Sequence, residues 1–196
     1  MTKINPTQEN GQLVITKTYA LVEGSRLDSA DLRFTNLSNL DLKDAILNWA
    51  DLRNTNLTGT NLSNARLRKA DLTLADLTDA DLSFADLTGA NFQWANLHGA
   101  NLSSATLYNA YLSCTHLDNA NLFCADLFEA NLTNTHLNSA NLSCADLSGA
   151  NLSGANLTNA NFESANLTGA NLSGAKLTGA DLTEANLTNA NFEFAF

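Results

Sequence analysis

Cysteine and histidine side chains near the middle of the chain are the residues best suited to metal chemistry. Cys114 and His116 are two positions apart, and His136 follows twenty positions after His116. Thiolate and imidazole groups bind Zn²⁺ when a fold brings them within a few ångströms, and Asp118 or His98 could supply a further ligand. The alternative is that these are variable outward positions, because the spacing matches no familiar ligand motif. We therefore predict no metal site and no cofactor.

Carboxylates recur at regular positions and could suggest acid–base catalysis. Asp31, Asp51 and Asp71 are spaced by twenty residues, and Asp71 also begins a run of Asp at every fifth position as far as Asp86. Paired carboxylates act as general acid and base in hydrolases. However, nearly every five-residue unit carries Asp or Asn at this position, which favours a structural role. Since no Ser/His/Asp arrangement, phosphate-binding glycine loop or metal-hydrolase motif is present, we predict that the protein is not an enzyme.

The charge of the chain excludes some classes of partner. The 196 residues carry a formal net charge of −10, and residues 70–196 hold thirteen acidic side chains against a single base, Lys176. Such a surface disfavours nonspecific binding to nucleic acid or to anionic lipid, so we predict no direct nucleic-acid binding.

Targeting signals and cysteine usage point to one compartment. No apolar run approaches the roughly 18 residues of a membrane span, and the N-terminus does not have the basic-then-apolar form of a signal peptide. Cys114, Cys124 and Cys144 are an odd number of cysteines, which suits reduced thiols more than a disulfide framework. We therefore predict a cytoplasmic protein that does not associate with membranes.

The elements that would position these side chains follow from a period of five residues. Leu or Phe stands at every fifth position from Leu27 to Phe192, in 34 units without a gap, and Ala stands two residues earlier in 27 of them. Neither a helix, with a period near 3.6, nor a strand, with a period of 2, explains this pattern. Residues two apart in an extended segment share a side, so Leu and Ala face inward while the Asp or Asn between them faces outward. Nine of the ten glycines lie at one position of the unit, where a type II turn requires positive φ.

This repeat resembles that of the pentapeptide repeat proteins, whose pattern is A(D/N)LXX. The resemblance covers about residues 20–196, with units such as Ala70-Asp71-Leu72-Thr73-Leu74 and Ala165-Asn166-Leu167-Thr168-Gly169. It implies an all-β fold, a right-handed quadrilateral parallel β-helix in which four pentapeptides form each coil, with about 8.5 coils in total. Residues twenty apart would then stack, and the inward columns would form the core, with members such as Leu67, Leu87, Phe92, Leu122, Leu142 and Phe162.

The two ends of such a solenoid need cover, because an open coil exposes unpaired backbone groups and apolar side chains. Residues 1–19 lie outside the repeat and would form an N-terminal cap, with strand character at Gln12-Leu13-Val14-Ile15-Thr16, while residues 20–196 form the β-helix. Phe192, Phe194 and Phe196 alternate at the other end. They either fold over the last coil or meet a second copy end to end, giving a homodimer.

Bulky side chains at outward positions carry the functional prediction. On stacked coils Tyr108 and Phe128 would lie together, Tyr111 round the next corner, and Trp94 in the column beside it. Aromatic residues on a surface of Ser, Thr and Asn are typical of protein-binding patches, although they could instead cover the Leu columns or pack against the cap. We therefore predict a non-catalytic scaffold that presents a rigid surface to an unidentified protein partner.

The family resemblance also implies an alternative function. Some pentapeptide repeat proteins mimic duplex DNA and bind type II topoisomerases such as DNA gyrase. Residues 70–196 carry a net charge of −12, which is about one charge per 2.5 Å of rod against about one per 1.7 Å in DNA. The chain shows neither the C-terminal dimerisation helix nor the loops typical of gyrase-binding members, and its first third is slightly basic, so gyrase inhibition or protection is the second hypothesis.

Overall fold

A computed structural model of the chain describes residues 7–9, 12–14 and 23–196. In the first two of these parts, strand β1 (Thr7–Glu9) pairs antiparallel with strand β2 (Gln12–Val14). Strand structure is thus present over part of the expected segment, whereas Ile15 and Thr16 lie outside the described residues. The division into a cap of residues 1–19 and a β-helix of residues 20–196 stays a prediction.

From Arg26 onward the chain is a β-helix solenoid of stacked coils. Parallel bridges join residues twenty apart at every fifth position, beginning with Arg26 and Ile46 and ending with Asn171 and Asn191. Each bridge is a single residue long, because a turn follows within two residues on every side of the coil. Four pentapeptides therefore separate paired residues, while the handedness and the total number of coils stay predictions.

Backbone hydrogen bonds use four of the five amides in a typical unit, three of them between coils and one within the turn. Around Leu52, the amides of Asp51, Leu52 and Asn54 donate to carbonyls of the neighbouring coils at 2.9, 2.7 and 3.1 Å. The amide of Thr55 closes the turn by donating to the Leu52 carbonyl at 3.1 Å. Only the amide of the residue after Leu is left, and it needs a partner from elsewhere because buried or half-buried donors are rarely left unpaired.

The outward Asp or Asn supplies that partner. The Arg53 amide donates to Asp51 Oδ1 at 3.3 Å, and the Ser143 amide donates to Asn141 Oδ1 at 3.1 Å. This contact is an Asx turn, in which a short side chain satisfies the backbone two residues later. In several columns the Asn side chain also donates to the preceding coil, as from Asn141 Nδ2 to Asn121 Oδ1 at 3.2 Å. The recurrent Asp/Asn position is therefore structural.

Every corner has positive φ at the same position of the unit. The second residue after the inward Leu or Phe has φ between 54° and 72° in all units from Ser29 to Phe194, and Gly24, at the equivalent position, has φ of 73°. The expectation for the glycines is confirmed, since their φ values are 62° to 73°. Gly and Asn adopt this region readily, whereas other residues lose roughly 1–2 kcal/mol. A bulky residue at this position therefore runs against the local preference of the backbone.

The inward Leu, Phe and Ala side chains form one continuous core. Complete burial, with 0% exposure, is found for Leu67, Leu87, Phe92, Leu122, Leu142 and Phe162. Burying each large side chain contributes about 1.5–3 kcal/mol before conformational entropy is subtracted. Where Thr replaces Ala, its hydroxyl is satisfied inside the core, as Thr115 Oγ1 donates to the Phe92 carbonyl at 2.9 Å.

The last described coil is open on its outer side. The backbone amides of Leu182, Leu187 and Phe192 have no hydrogen-bond partner among the described residues. Phe192 packs partly against the core, but Phe194 and Phe196 are exposed, at 82% and 68%. These two rings therefore do not cover the coil, and an end-to-end contact stays a prediction.

Candidate interaction surface

Five large apolar side chains lie on one side of the solenoid and at the two corners that border it. Tyr111 belongs to the strand column of this side, which is the row of bridged residues spaced by twenty along the chain. Tyr108 and Phe128 are at the corner before it, and Leu74 and Trp94 are at the corner after it. We call these five residues the aromatic face. The structure thus places the four aromatic residues singled out from the sequence on consecutive coils of one side.

The aromatic face combines one fixed pair with three strongly exposed side chains. The rings of Tyr108 and Phe128 are stacked, with centroids 5.6 Å apart and planes 2° from parallel. Such a pair stabilises by about 0.5–1.5 kcal/mol beyond its buried area. Trp94 is 61% exposed, and Tyr111 and Leu74 are also more than half exposed. The patch is therefore partly pre-ordered and open to contact.

Three members of the aromatic face contradict the local rules of the repeat. Leu74 and Trp94 occupy positive-φ corners, with φ of 60° and 62°. Tyr111 stands where most units have Asp or Asn, and the Ser113 amide that such a residue would cap has no partner among the described residues. Each placement is locally unfavourable, and none is compensated by burial. Locally unfavourable residues concentrate at functional sites, where another requirement maintains them.

Phe34 and Phe194 share the corner column of Leu74 and Trp94 but lie at least two coils away from them, and the remaining exposed aromatic residues lie away from this side or already have a partner. The Lys69 ammonium group lies 4.5 Å above the Trp49 ring, a cation–π contact between consecutive coils that the residue pattern alone did not predict. Because Trp49 and Lys69 are twenty residues apart in the sequence, their spacing could have predicted that they stack. Phe84 and Phe123 are exposed at a corner that does not border the aromatic face. They provide a natural control for experiments on that face.

In earlier coils the strand column that contains Tyr111 carries a ladder of ion pairs. Arg33 contacts Asp31 at 2.7 Å and Asp51 at 3.4 Å, and Arg53 contacts Asp51 at 2.6 Å and Asp71 at 3.6 Å. The hydrogen bond from Arg33 lowers the pKa of Asp31 to about 2. The hydrogen bond from Arg53 lowers the pKa of Asp51, although its burial acts in the opposite direction. A general acid needs a raised pKa, so these carboxylates do not have the property that acid catalysis requires.

The structure also brings together part of the candidate metal-binding set. His116, Asp118 and His136 each offer a ligand atom, and the three atoms lie within 4.8 Å of one another. Cys114 and His98 are not part of this group. Cys124 and Cys144 are exposed free thiols on another corner. Desolvation, together with the neighbouring Cys144, raises the pKa of Cys124, which disfavours a reactive thiolate there.

The repeat and its twenty-residue register place the chain in a known class of solenoid proteins. The sequence model for pentapeptide repeats matches eight copies, over residues 18–48, 45–83, 55–93, 85–123, 125–163 and 165–196. The protein belongs to the pentapeptide repeat family. No curated protein matches the chain in sequence. Over the described residues, no helix has the length and apolarity that crossing a bilayer would require.

Two solved structures illustrate the likeness. HetL, a pentapeptide repeat protein involved in heterocyst differentiation regulation from the cyanobacterium Nostoc sp. strain PCC 7120, is 40% identical; the match covers 86% of this chain and 83% of HetL, with a TM-score of 0.58. Full-length QnrB1, a plasmid-mediated fluoroquinolone resistance protein, is 19% identical; the match covers 89% of this chain and 90% of QnrB1, with a TM-score of 0.72. The second likeness concerns the fold alone.

Proposed function

We propose that this protein is a non-catalytic scaffold whose aromatic face binds a protein partner. The supporting observation is that Leu74, Trp94 and Tyr111 are grouped on one side and exposed although each is locally unfavourable for the backbone. Phe84 has the same corner conformation, with φ of 59°, but stands apart from this group. Exposed Trp and Tyr side chains dominate the energetics of protein interfaces because they bury a large area with few rotatable bonds. The stacked Tyr108 and Phe128 would add a rigid anchor beside them.

The scaffold itself would be a right-handed β-helix of about 8.5 coils, working in the cytoplasm. Its relation to HetL, a protein involved in regulation of differentiation, supports a regulatory contact more than a catalytic role. The continuous core and the backbone pairing between coils hold the surface side chains at fixed spacing. A partner would therefore bind a preformed surface and lose little free energy to ordering of the scaffold.

Capture of partners from the native cells would test this proposal. The parent chain would be compared with a variant carrying Trp94→Ser, Tyr108→Ser, Tyr111→Ser and Phe128→Ser. We expect the parent to retain a partner that the variant loses, because the changes remove the exposed anchors while leaving the core intact. Circular dichroism and thermal melting would first establish that both chains are folded.

A matched control separates this surface from general stickiness. The variant Phe84→Ser, Phe123→Ser removes exposed aromatic area from a corner outside the aromatic face. It should retain the partner at the parental level. If the control loses the partner as well, or if the four-residue variant retains it, the aromatic face is not the binding surface.

Gyrase binding by DNA mimicry is a second candidate, favoured by the acidic charge of residues 70–196. The ion-pair ladder of Asp31, Arg33, Asp51 and Arg53 offsets acidity in the earlier coils, so mimicry would have to use the distal coils. A gyrase supercoiling assay at tens of micromolar protein would decide the matter. Inhibition that persists in the four-residue aromatic variant would favour mimicry, and unchanged supercoiling would remove this candidate.

We also propose that two copies associate end to end through Phe192, Phe194 and Phe196. The support is the exposure of Phe194 and Phe196 beside unpaired backbone amides in the last described coil. Light scattering should give the mass of two chains for the parent and of one chain for the variant Phe194→Ser, Phe196→Ser. A parental mass of one chain would refute the contact.

A further inference from the structure

Two histidines on consecutive coils and one aspartate form a group that the proposed scaffold function does not use. His116 and His136 are paired across the coils by a parallel bridge, and their ring centroids are 4.5 Å apart with planes at 47°. Asp118 Oδ2 lies 3.9 Å from His116 Nδ1. One imidazole nitrogen from each histidine and one carboxylate oxygen all lie within 4.8 Å of one another.

The carboxylate of Asp118 is already oriented by the fold. Its Oδ1 accepts hydrogen bonds from the backbone amide of Asn138, at 3.1 Å, and from the Asn138 side-chain amide. Its Oδ2 is left facing His116. Metal-binding carboxylates commonly have one oxygen fixed in this way by a neighbour, which holds the other oxygen ready for the ion.

The two histidines replace residues that the fold prefers. In most units this strand position is Asp or Asn, whose side chain caps the amide two residues later, as Asn156 does for Thr158 at 3.3 Å. His116 and His136 make no such contact, and among the described residues Asp118 of the next coil back caps the Asn138 amide instead. In two consecutive coils, therefore, an imidazole replaces the side chain that would cap the backbone amide two residues later, and the two imidazoles lie in register.

We propose that His116, Asp118 and His136 bind one divalent late first-row metal ion, with Zn²⁺ as the ion to test. Imidazole and carboxylate are ligands that this class of ion accepts, and solvent would complete the coordination. Ligands at about 2.0–2.1 Å from a tetrahedral ion are about 3.3 Å apart, so ligand atoms that now lie within 4.8 Å of one another must approach by at most about 1.5 Å. The exposed imidazoles allow this by rotating about their side-chain bonds while the paired backbone stays in place.

The site would join two coils at one side of the rod. Because His116 and His136 belong to consecutive coils, an ion held by both resists their separation. Metal binding should therefore raise the melting temperature, since a ligand that binds only the folded chain stabilises it.

Calorimetric titration of Zn²⁺ into the full-length chain tests the site. The chain is prepared without a histidine tag and carries Cys124→Ser and Cys144→Ser, so that thiols do not compete. We expect one Zn²⁺ per chain, and His136→Asn and His116→Asn should each weaken the affinity at least tenfold. Asn is the residue that neighbouring units use at this position, so these variants restore the backbone cap and should remain folded.

Two controls distinguish the site from other donors. His98→Asn removes the only other histidine of the chain, and Cys114→Ser removes the nearby thiol of the original candidate set. Both should leave the Zn²⁺ affinity within twofold of the parent. Co²⁺ substituted for Zn²⁺ should show no thiolate charge-transfer band.

Several results would overturn the proposal. They are the absence of saturable binding of one ion per chain, an unchanged affinity in both His116→Asn and His136→Asn, or a loss in His98→Asn as large as in His136→Asn. A Zn²⁺-bound chain that melts at the same temperature as the free chain would refute the joining of the two coils.

Discussion

The capping contact of the outward Asp or Asn permits a quantitative test at Asn141. Its Oδ1 accepts from the Ser143 amide at 3.1 Å and from the Ser143 hydroxyl at 2.7 Å, and its Nδ2 donates to Asn121 Oδ1 at 3.2 Å. Ser143 is only 9% exposed, so water replaces the lost acceptor poorly. Asn141→Ala removes all three contacts, whereas Asn141→Asp keeps both acceptor contacts and removes only the donor.

The expected magnitudes follow from those contacts. A net hydrogen bond contributes about 1 kcal/mol, and a nearly buried donor left without a partner costs about 1–3 kcal/mol. Asn141→Ala should therefore lower the free energy of unfolding by about 2–3 kcal/mol, and Asn141→Asp by about 0.5–1 kcal/mol. With an m value of about 2 kcal/mol per molar urea, the Ala variant should unfold at a midpoint about 1 M lower.

Urea unfolding followed by far-ultraviolet circular dichroism measures these differences. Thr106→Ala is the matched control, because Thr106 occupies the same strand position but does not cap the amide of Tyr108. It should change the midpoint by far less than Asn141→Ala does. If Asn141→Asp costs as much as Asn141→Ala, or if Asn141→Ala costs no more than Thr106→Ala, the outward side chain does not stabilise the turn and the reasoning fails.

Three further predictions concern the core, a corner and the ion-pair ladder. Leu122→Asp places a carboxylate in the core and should cost about 3 kcal/mol or more; a variant that melts within a degree of the parent would contradict the interior position. Trp94→Asn relieves the backbone at a positive-φ corner and should raise the free energy of unfolding by about 1 kcal/mol while weakening partner capture; a lower stability would mean that contacts of the indole outweigh the strain. The Asp31 carboxyl should titrate with a pKa of about 2 by NMR, and Arg33→Gln should raise that pKa toward the ordinary value. Because the folded pKa is the lower one, the pair stabilises the fold above the unfolded pKa near 3.9 and loses this effect as pH falls toward 2.

The sequence predicted the inward and outward positions correctly because the period of five leaves no alternative for side chains two apart in an extended segment. Leu122 and Phe162 follow directly from it. The period does not fix how many turns close one coil, so the register of twenty came from the family resemblance and is now seen in the bridges. The stack of Tyr108 and Phe128 then follows from the register alone.

The details of the surface depended on backbone angles and side-chain directions that no residue pattern encodes. The unfavourable conformation of Trp94 becomes evident only once its φ of 62° is known. The sequence grouped Cys114 with His116 and His136 and offered Asp118 or His98 as a further ligand; in the structure Asp118 lies with the histidines and Cys114 does not belong to the group. Cys114 sits at a positive-φ corner, with φ of 58°, and its thiol direction differs from that of a strand position. The capping role of Asn141 likewise requires the amide of Ser143 to be located.

Because paired residues are twenty apart, deletions of five and of twenty residues change this chain in different ways. Any deletion of five residues in phase keeps every Leu inside, yet it moves all later side chains round by one side of the rod. Removing residues 99–103, for example, would carry Tyr108 and Tyr111 away from the side that Trp94 borders without altering either side chain. Removing twenty residues would shorten the rod by one coil and leave the downstream columns aligned. The length of the rod and the composition of each side can thus vary separately. Insertions or deletions of twenty residues change the length, and those of five residues change which side chains lie together on one side.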